Sequence, residues 1–384
     1  MTRTSANGMS LSCEELDCDA FDRLEVEWGQ LLSNSCADPL VMSWAWMRTW
    51  WRVFGESSDD RELRLLCVRD SAGALVGIAP LYLQDFTQFG SRCSRLQFLA
   101  GCWRDSDNIR CEYVDFIVHA GFEHQVVGAL LDYVLHEWRW DEFVICNHWV
   151  KSESYRSLRE FCRANGYLFR QHEKGYSHRL QLVGTFADYL SGLSGRTRSQ
   201  IFNQRKRLEA HGDVSIRQAT STDLDGVFDL LNRFHELRWG KRVFEGNRKE
   251  FHRRISRLLL QKGELEFTLL CVQGKPVSAL YDFVIGSVKY GYQTGFDRDF
   301  DKRLSISKLH MGYSIESAFE KGLQAFDFLR GGGQRAGNYK DNLAQPYRET
   351  ATLQIVRSQK RKLLYQLYER MPNQLRVFVR ALPN

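Results

Sequence analysis

The chain has 384 residues, 43% apolar and 26% charged, which is the make-up of a globular protein long enough for two domains with their own cores. No stretch reaches the roughly 18 unbroken apolar residues of a membrane span, the start MTRTSANGMSLSCEELD has no basic-then-apolar leader pattern, and the ten cysteines are scattered without a Cys-x-x-Cys pair. These features argue against a secreted disulfide scaffold and a structural zinc site, and for free thiols in a reducing cytoplasm. The net charge of +6 is gathered in two places, RTRSQIFNQRKRLEAHG (196–212) and the tail RSQKRKLLYQLYERMPNQLRVFVRAL (357–382). Each is a solvated helix face or an attractor of phosphate, nucleic acid or anionic lipid.

Phe21, Leu24, Trp28 and Leu31 recur at helical spacing in 20–32, and Trp44, Met47, Trp51 and Phe54 do so in 43–54. Strands are expected at 63–69 and 75–84, then an irregular stretch to about 112. A strand at 113–118, a helix at 122–138, a strand at 142–147 and a helix at 152–165 ending on Asn165-Gly166 come next. A strand at 167–182 leads to a linking helix from Ser194-Gly195, whose thin apolar stripe is Ile201 and Leu208. Helix 223–239 opens on a capping-box-like Thr222-x-x-Asp225, and helix 247–261 follows. Strands at 265–272, 276–285 and 288–295, a helix at 305–321, a strand at 325–329, a glycine-rich loop and a strand at 349–356 complete the pattern.

Much of this order occurs twice. LRLLCVRDSAGALVGIAPLYL (63–83) matches LEFTLLCVQGKPVSALYDFVI (265–285), and VGALLDYVLHEWRWDEFVI (127–145) matches MGYSIESAFEKGLQAFDFL (311–329). A repeat of this length is too long for a solenoid unit and predicts two domains of one fold. Two helices before a strand meander, then strand–helix–strand, define an α/β class with mixed, largely antiparallel sheets flanked by helices. The domains are expected at 1–190 and 191–355, with a basic amphipathic helix at 356–384.

Three places carry candidate chemistry. On helix 223–239 the apolar face of Leu224, Val227, Phe228, Leu231 and Phe234 runs on to His235 and Arg238. Both are therefore expected to turn inward towards a polar cavity or a buried acid; a satisfied core histidine and a snorkelling arginine fit the same pattern. The helix from Ser305 is apolar nearly all round, so its buried N-terminus needs partners, and an anion suits it. Arg303, Ser305, Ile306, Ser307 and Lys308 supply the donors there; plain capping by Ser305 is the alternative. In FDFLRGGGQRAGNYKDN (326–342), Asp327 faces opposite to Phe326 and Phe328, with Arg330 and Lys340 near at hand. Strand 288–295 is expected to set Tyr290 and Tyr292 on one face and Lys289 and Gln293 on the other, and Asp282 is a second strand carboxylate.

Taken together, SGRTRSQIFNQRKRLEAHG, FHELRW (234–239), YGYQTGFD (290–297), the helix at 305–321, FDFLRGG (326–332) and NYK (338–340) resemble the GNAT acyltransferase superfamily. The nearest resemblance is to the acetyltransferase-like family associated with bacterial cellulose and exopolysaccharide biosynthesis, related to the tandem-GNAT Fem-type aminoacyl transferases. It covers 185–355 well and 40–165 more weakly. It implies tandem GNAT-like domains, the first degenerate, with the strands ending near Gly295 and spanning 325–329 splayed apart to admit the pantetheine arm of an acyl thioester. The family's Q/R-x-x-G-x-G/A phosphate loop is replaced here by KRLSIS, so acyl-CoA, the phosphopantetheine of an acyl carrier protein and aminoacyl-tRNA all stay open as donors. No metal is implied. By this resemblance His235, Asp282 and Asp327 are the candidates for proton removal, with Asp327 alternatively fixing Arg238. Arg238, Tyr292, Gln293, Arg330 and Lys340 line the site of a small-molecule amine or amino sugar. Arg303, Ser305, Ile306, Ser307 and Lys308 hold the donor's phosphates. A cytoplasmic enzyme with peripheral inner-membrane contact through its tail is expected, and a non-catalytic module of a polysaccharide machine is the rival.

Overall fold

The computed structural model describes residues 2–4, 10–88, 90–101, 103, 108–109, 111–330 and 339–371. Most of the glycine-rich loop (331–338) and the end of the basic tail lie outside the described residues. The chain separates into two compact units, residues 1–174 with 350–384, and residues 175–349.

Unit 1 contains β1 (Thr2–Thr4), β2 (Ser10–Leu16), α1 (Cys18–Arg23), α2 (Glu25–Ser33), α3 (Trp44–Trp50), β3 (Arg61–Arg69), β4 (Leu75–Gln88), β5 (Ser91–Phe98), β6 (Ile117–Val118), α4 (Glu123–His136), β7 (Glu142–Trp149), α5 (Glu153–Ala164) and the first half of β8 (Leu168–Gln181). Its strands lie in the order β1-β2-β3-β4-β5-β7, with β6 on β4. All these pairings are antiparallel except β5 with β7, which are parallel and matched only at Arg95–Gln97 against Glu142–Val144. The aromatic stripe read from 20–54 is core: Phe21, Trp28, Trp46 and Trp50 are fully buried.

Unit 2 contains α6 (Phe186–Ser191), α7 (Gly195–Arg198), α8 (Arg205–Glu209), β9 (Val214–Gln218), α9 (Leu224–Trp239), α10 (Gly246–Gln261), β10 (Leu265–Val272), β11 (Lys275–Ile285), β12 (Val288–Phe296), α11 (Ile306–Glu320) and β13 (Ala325–Arg330). The strand β14 (Gln345–Val356) ends in unit 1, where α12 (Gln359–Arg370) also packs. The basic helix expected as a separate element after 356 thus belongs to unit 1, tied there by a fully buried Arg361 bonded to the carbonyls of Gln88 and Ser91. Within unit 2 the order is β8-β13-β12-β11-β10-β9. Here too every pairing is antiparallel but one, β12 with β13.

Unit 2 buries both faces of its sheet. On one face, Phe228 of α9 and Phe244 of the α9–α10 connection pack with Phe267, Tyr281 and Phe283 of the sheet, with ring centroids 4.9–6.1 Å apart. Against α11 lie Leu270, Val272 and Val277 with Leu309, and Leu280 and Phe326 with Met311 and Ile315. The expected linking helix is broken into α7, a π-helical turn at 199–203, and α8. It crosses α11 so closely that a Cβ on Gly312 would sit 1.9 Å from the Ile201 carbonyl oxygen, so only glycine fits there.

Several sequence expectations need correction. The stretch to about 112, read as irregular, holds β5, one of whose buried faces carries Arg95 and Gln97 where a strand pattern expects aliphatic residues. The strand expected at 113–118 is reduced to β6, and β2 and β9 were not anticipated. Helix α9 starts at Leu224 without the expected capping box; Asp223 instead bonds back to Thr220 and pairs with Arg217.

Candidate functional site

The site is built where two strands part. The parallel ladder between β12 and β13 has three pairs, Val288↔Ala325, Lys289↔Phe326 and Tyr290↔Asp327, and then ends while both strands continue. On the other side of β12, the pairing with β11 slips by one between Tyr281 and Asp282, so that Tyr292 is an extra, bulged residue. Asp297 N–H bonds to Val277 O beyond the bulge. Alternation from that pair directs the backbone groups of Phe296 and Thr294 away from β11, along the edge left open by β13.

The bulge also changes which side chains share a face, because a one-residue slip inverts the alternation. Gln293 pairs with Tyr281, and so lies on the same face as Tyr290 and not opposite it, as strict alternation implies. There Gln293 Nε2 donates to His235 Nε2 at 2.5 Å. His235 is half-buried, and burial lowers its pKa, helped by Arg238 and Lys241 and opposed by a hydrogen bond to the Thr294 backbone. A neutral imidazole therefore stands at the open edge of β12. Tyr292 lies on the same side, its OH 3.4 Å from His252 Nε2.

Arg238 is not inward-facing as the apolar stripe suggested. It is exposed in the last turn of α9, where Gly240 ends the helix in the left-handed conformation, and its guanidinium stacks 4.7 Å over Trp239 and 5.1 Å over Phe296. One turn at a helix end was enough to carry it out of the core. Asp327, fully buried, does not fix Arg238. Its Oδ2 accepts from Arg179 Nε at 3.0 Å and Nη2 at 2.7 Å, and its Oδ1 from Leu329 N–H at 2.7 Å. These contacts make it a structural ion pair across β8 and β13. Lys340 is buried too, its ammonium donating to the carbonyls of Phe328 and Leu329 where β13 leaves the ladder. Arg330 lies against Gly175 of β8.

Asp282 faces the other way, towards α11. It is 1% exposed, 3.7 Å from Lys289 Nζ, and accepts from Ser314 Oγ at 3.1 Å. Lys289 also pairs with Glu266, which in turn holds Lys321. Burial pushes the Asp282 carboxyl up to about 7, with Lys289 opposing and Glu266 adding to the shift. Beside this cluster His310 is enclosed between Ser278 and Thr268, each 3.1 Å away, and burial takes its pKa down to about 3. Tyr339, on a 3₁₀ turn (Tyr339–Asn342), has its phenol raised by burial, with Asp282 adding and Arg238 opposing, so it lies within electrostatic reach of both.

The start of α11 is partly closed. Ser305 N–H donates to Gln204 Oε1 at 3.1 Å and Lys308 Nζ to Gln200 Oε1 at 2.7 Å, both from the crossing arm. Ser305 makes no side-chain cap. Ile306 is buried, Ser307 is half-buried in the first turn, and Arg303 is exposed and pairs with Asp301 at 3.1 Å. Sequence reasoning missed Arg179, Glu266, His252 and Tyr339, and placed Lys289 on its strand without its pairing to Glu266 and Asp282. A buried lysine or histidine in a strand or helix pattern was the signal available for two of these, Lys289 and His252.

Unit 1 repeats the parted strands, but its own chain occupies the place. Beyond the β5–β7 ladder, Asn147 accepts from Tyr113 N–H at 3.3 Å and donates to Cys111 O at 2.8 Å, and His148 Nδ1 meets Val114 O at 3.0 Å.

Residues 195–341 match the sequence model described as an acetyltransferase (GNAT) domain. No curated protein matches the chain. Among solved structures, the fold is similar to the crystal structure of FemX, at a TM-score of 0.61 and 12% identity over 93% of this chain and 99% of that one. It is similar to a tandem GNAT protein from the clavulanic acid biosynthesis pathway, at 0.52 and 14% over 90% and 98%. It is also similar to the C-terminal domain of a putative lysylphosphatidylglycerol synthetase from Agrobacterium fabrum, at 0.50 and 9% over 90% and 95%. At such identities the likeness is one of fold. The parted strands and the domain match together give an α/β chain of tandem GNAT-like fold in which residues 195–341 form a GNAT-type acyltransferase domain. Among the described residues no helix is long and apolar enough to cross a membrane, and no cluster of side chains suited to a metal ion is found.

Proposed function

We propose that unit 2 transfers an acyl group from an acyl thioester, carried by CoA or an acyl carrier protein, to the amine of a small molecule or amino sugar. The observation that carries this reading is the early end of the β12–β13 ladder, which turns backbone groups of Phe296, and of Thr294 beyond its bond to His235, towards a gap where a slender amide-bearing arm would bond. The first-turn N–H groups of Ile306 and Ser307, with Lys308 and Arg303, would take the donor's phosphates.

His235, neutral and half-buried at the β12 edge, is the candidate to accept the ammonium proton, which requires Gln293 to release its Nε2 when substrate enters. Asp282 is shielded behind Ser314 and Lys289, and Asp327 has both oxygens engaged, so neither is placed to act first. Gln293 orients His235, while Tyr292 and Arg238 face the acceptor. Positioning and electrostatics then supply most of the rate.

A second reading, transfer from aminoacyl-tRNA, is favoured by one observation: Gln204 and Gln200 cover the α11 start, while Arg196, Lys206 and Arg207 of the same arm are exposed. Thermal shift separates the two. A ligand at about 100 times its Kd stabilises by about 2.7 kcal/mol, or roughly 5–10 °C for a unit of this size. Acetyl-CoA, longer acyl-CoAs or acylated carrier protein are expected to give such a shift. A shift with aminoacyl-tRNA and none with any thioester would overturn the first reading in favour of the second.

A further inference from the structure

Helix α12 turns one face into unit 1 and leaves the other in water. Arg361 and Tyr365, one turn apart, are buried, held by the Gln88 and Ser91 carbonyls and by Glu142. The helix is therefore fixed in place before any partner arrives. At about 3.6 residues per turn, Arg370, Leu363, Leu367 and Lys360 fall within a sector of about 80° on the opposite side. All four are exposed, Leu363 by 57% and Leu367 by 47%.

A single exposed leucine is ordinary on a protein surface. Among the described residues of unit 1, however, the exposed large apolar side chains are Val26, Leu363 and Leu367, and two of these three share this sector one turn apart. Cations bracket the pair. Lys360 and Arg370 stand at the two ends of the stripe, about 15 Å apart along the helix axis. Glu369, the one acid of α12, is taken by Arg170 at 2.7 Å, so no carboxylate of the helix neutralises them. The sequence that follows, 372–384, continues the same chemistry, with Arg376, Arg380, Phe378 and no acid.

Leucines between unneutralised cations on a rigid helix suit the boundary of a lipid layer, where acyl chains take the apolar groups and phosphates the charge. A second protein chain is a poorer occupant, since two half-exposed leucines fall far short of the roughly 800 Å² per partner that a stable interface buries. A nucleic acid would engage the cations and leave the leucines in water. We propose that the outer face of α12 docks unit 1 on an anionic membrane surface, with Leu363 and Leu367 entering between the acyl chains and Lys360 and Arg370 meeting the lipid phosphates. The contact is independent of the chemistry in unit 2.

Flotation of the full-length protein with vesicles tests this. Phosphatidylcholine vesicles holding about 30% phosphatidylglycerol should bind the protein, and phosphatidylcholine alone should bind it at least about tenfold more weakly. Lys360→Gln with Arg370→Gln should lower partitioning about tenfold or more, and Leu363→Ser with Leu367→Ser about tenfold. Val26→Ser removes a still more exposed apolar side chain, on α2, and should change nothing. Every substituted position is exposed, so the melting temperature of each variant should stay at the wild-type value. Equal binding to the two kinds of vesicle overturns the role of the cations. Binding indifferent to the leucine pair overturns the lipid contact and, with loss on the cation pair, marks a polyanion surface instead. No binding to either vesicle overturns the proposal outright.

Discussion

Replacing Asp282 by Asn offers a quantitative probe of the buried charge cluster. The wild-type carboxyl titrates at about 7 in the folded chain against 3.8 unfolded. A raised folded pKa means stability that is fully present below the unfolded value and lost as pH rises through the folded one. Integrated from pH 5 to pH 8, that difference corresponds to about 2–3 kcal/mol of lost stability. Asn does not titrate, so groups common to both proteins cancel in the comparison. Urea unfolding at the two pH values should therefore show the stability of wild type relative to Asp282→Asn falling by about 2–3 kcal/mol between pH 5 and pH 8. A pH-independent difference would mean that Lys289, 3.7 Å away, keeps Asp282 ionised throughout, and the reasoning would be refuted.

Asp327→Asn strips the charge from a fully buried partner of Arg179 and should cost about 3–5 kcal/mol by denaturant melt, marking a structural pair. Arg238→Ala, at an exposed position, should change stability by less than about 0.5 kcal/mol while lowering acceptor turnover; a large stability loss would contradict its placement. Gly312→Ala drives a Cβ into the Ile201 carbonyl and should destabilise by about 1–3 kcal/mol, with increased proteolysis of the 195–209 arm. His235→Gln should lower kcat and remove the lower limb of the pH–rate profile, which lies below the ordinary histidine value of 6.5.

The doubled pattern was legible because hairpins and amphipathic helices write their period directly into hydrophobicity, and β10, β11, β12 and α11 fall within a residue or two of their expected ends. What stayed hidden was set by partners remote in sequence. Strand β5 is rich in Ser and Arg because Arg95 is neutralised by Glu142, 47 residues later. The single extra residue at Tyr292 leaves no mark in a period-two reading, yet it turns Gln293 towards His235. Arg238 and His235 share a stripe and differ only in which side of the final turn meets β12. The acid partners were misassigned for the same reason: Asp327 finds Arg179, 148 residues away.

Unpaired strand edges at the margins of a sheet invite other chains to add on and aggregate. The edge of β12 lies instead between two strands already joined at one end. A strand adding there would have to enter between β12 and β13, which are already paired at one end, a geometry that favours a thin flexible tether. Selection by girth would let the protein keep reactive backbone groups on offer without becoming sticky towards its own kind.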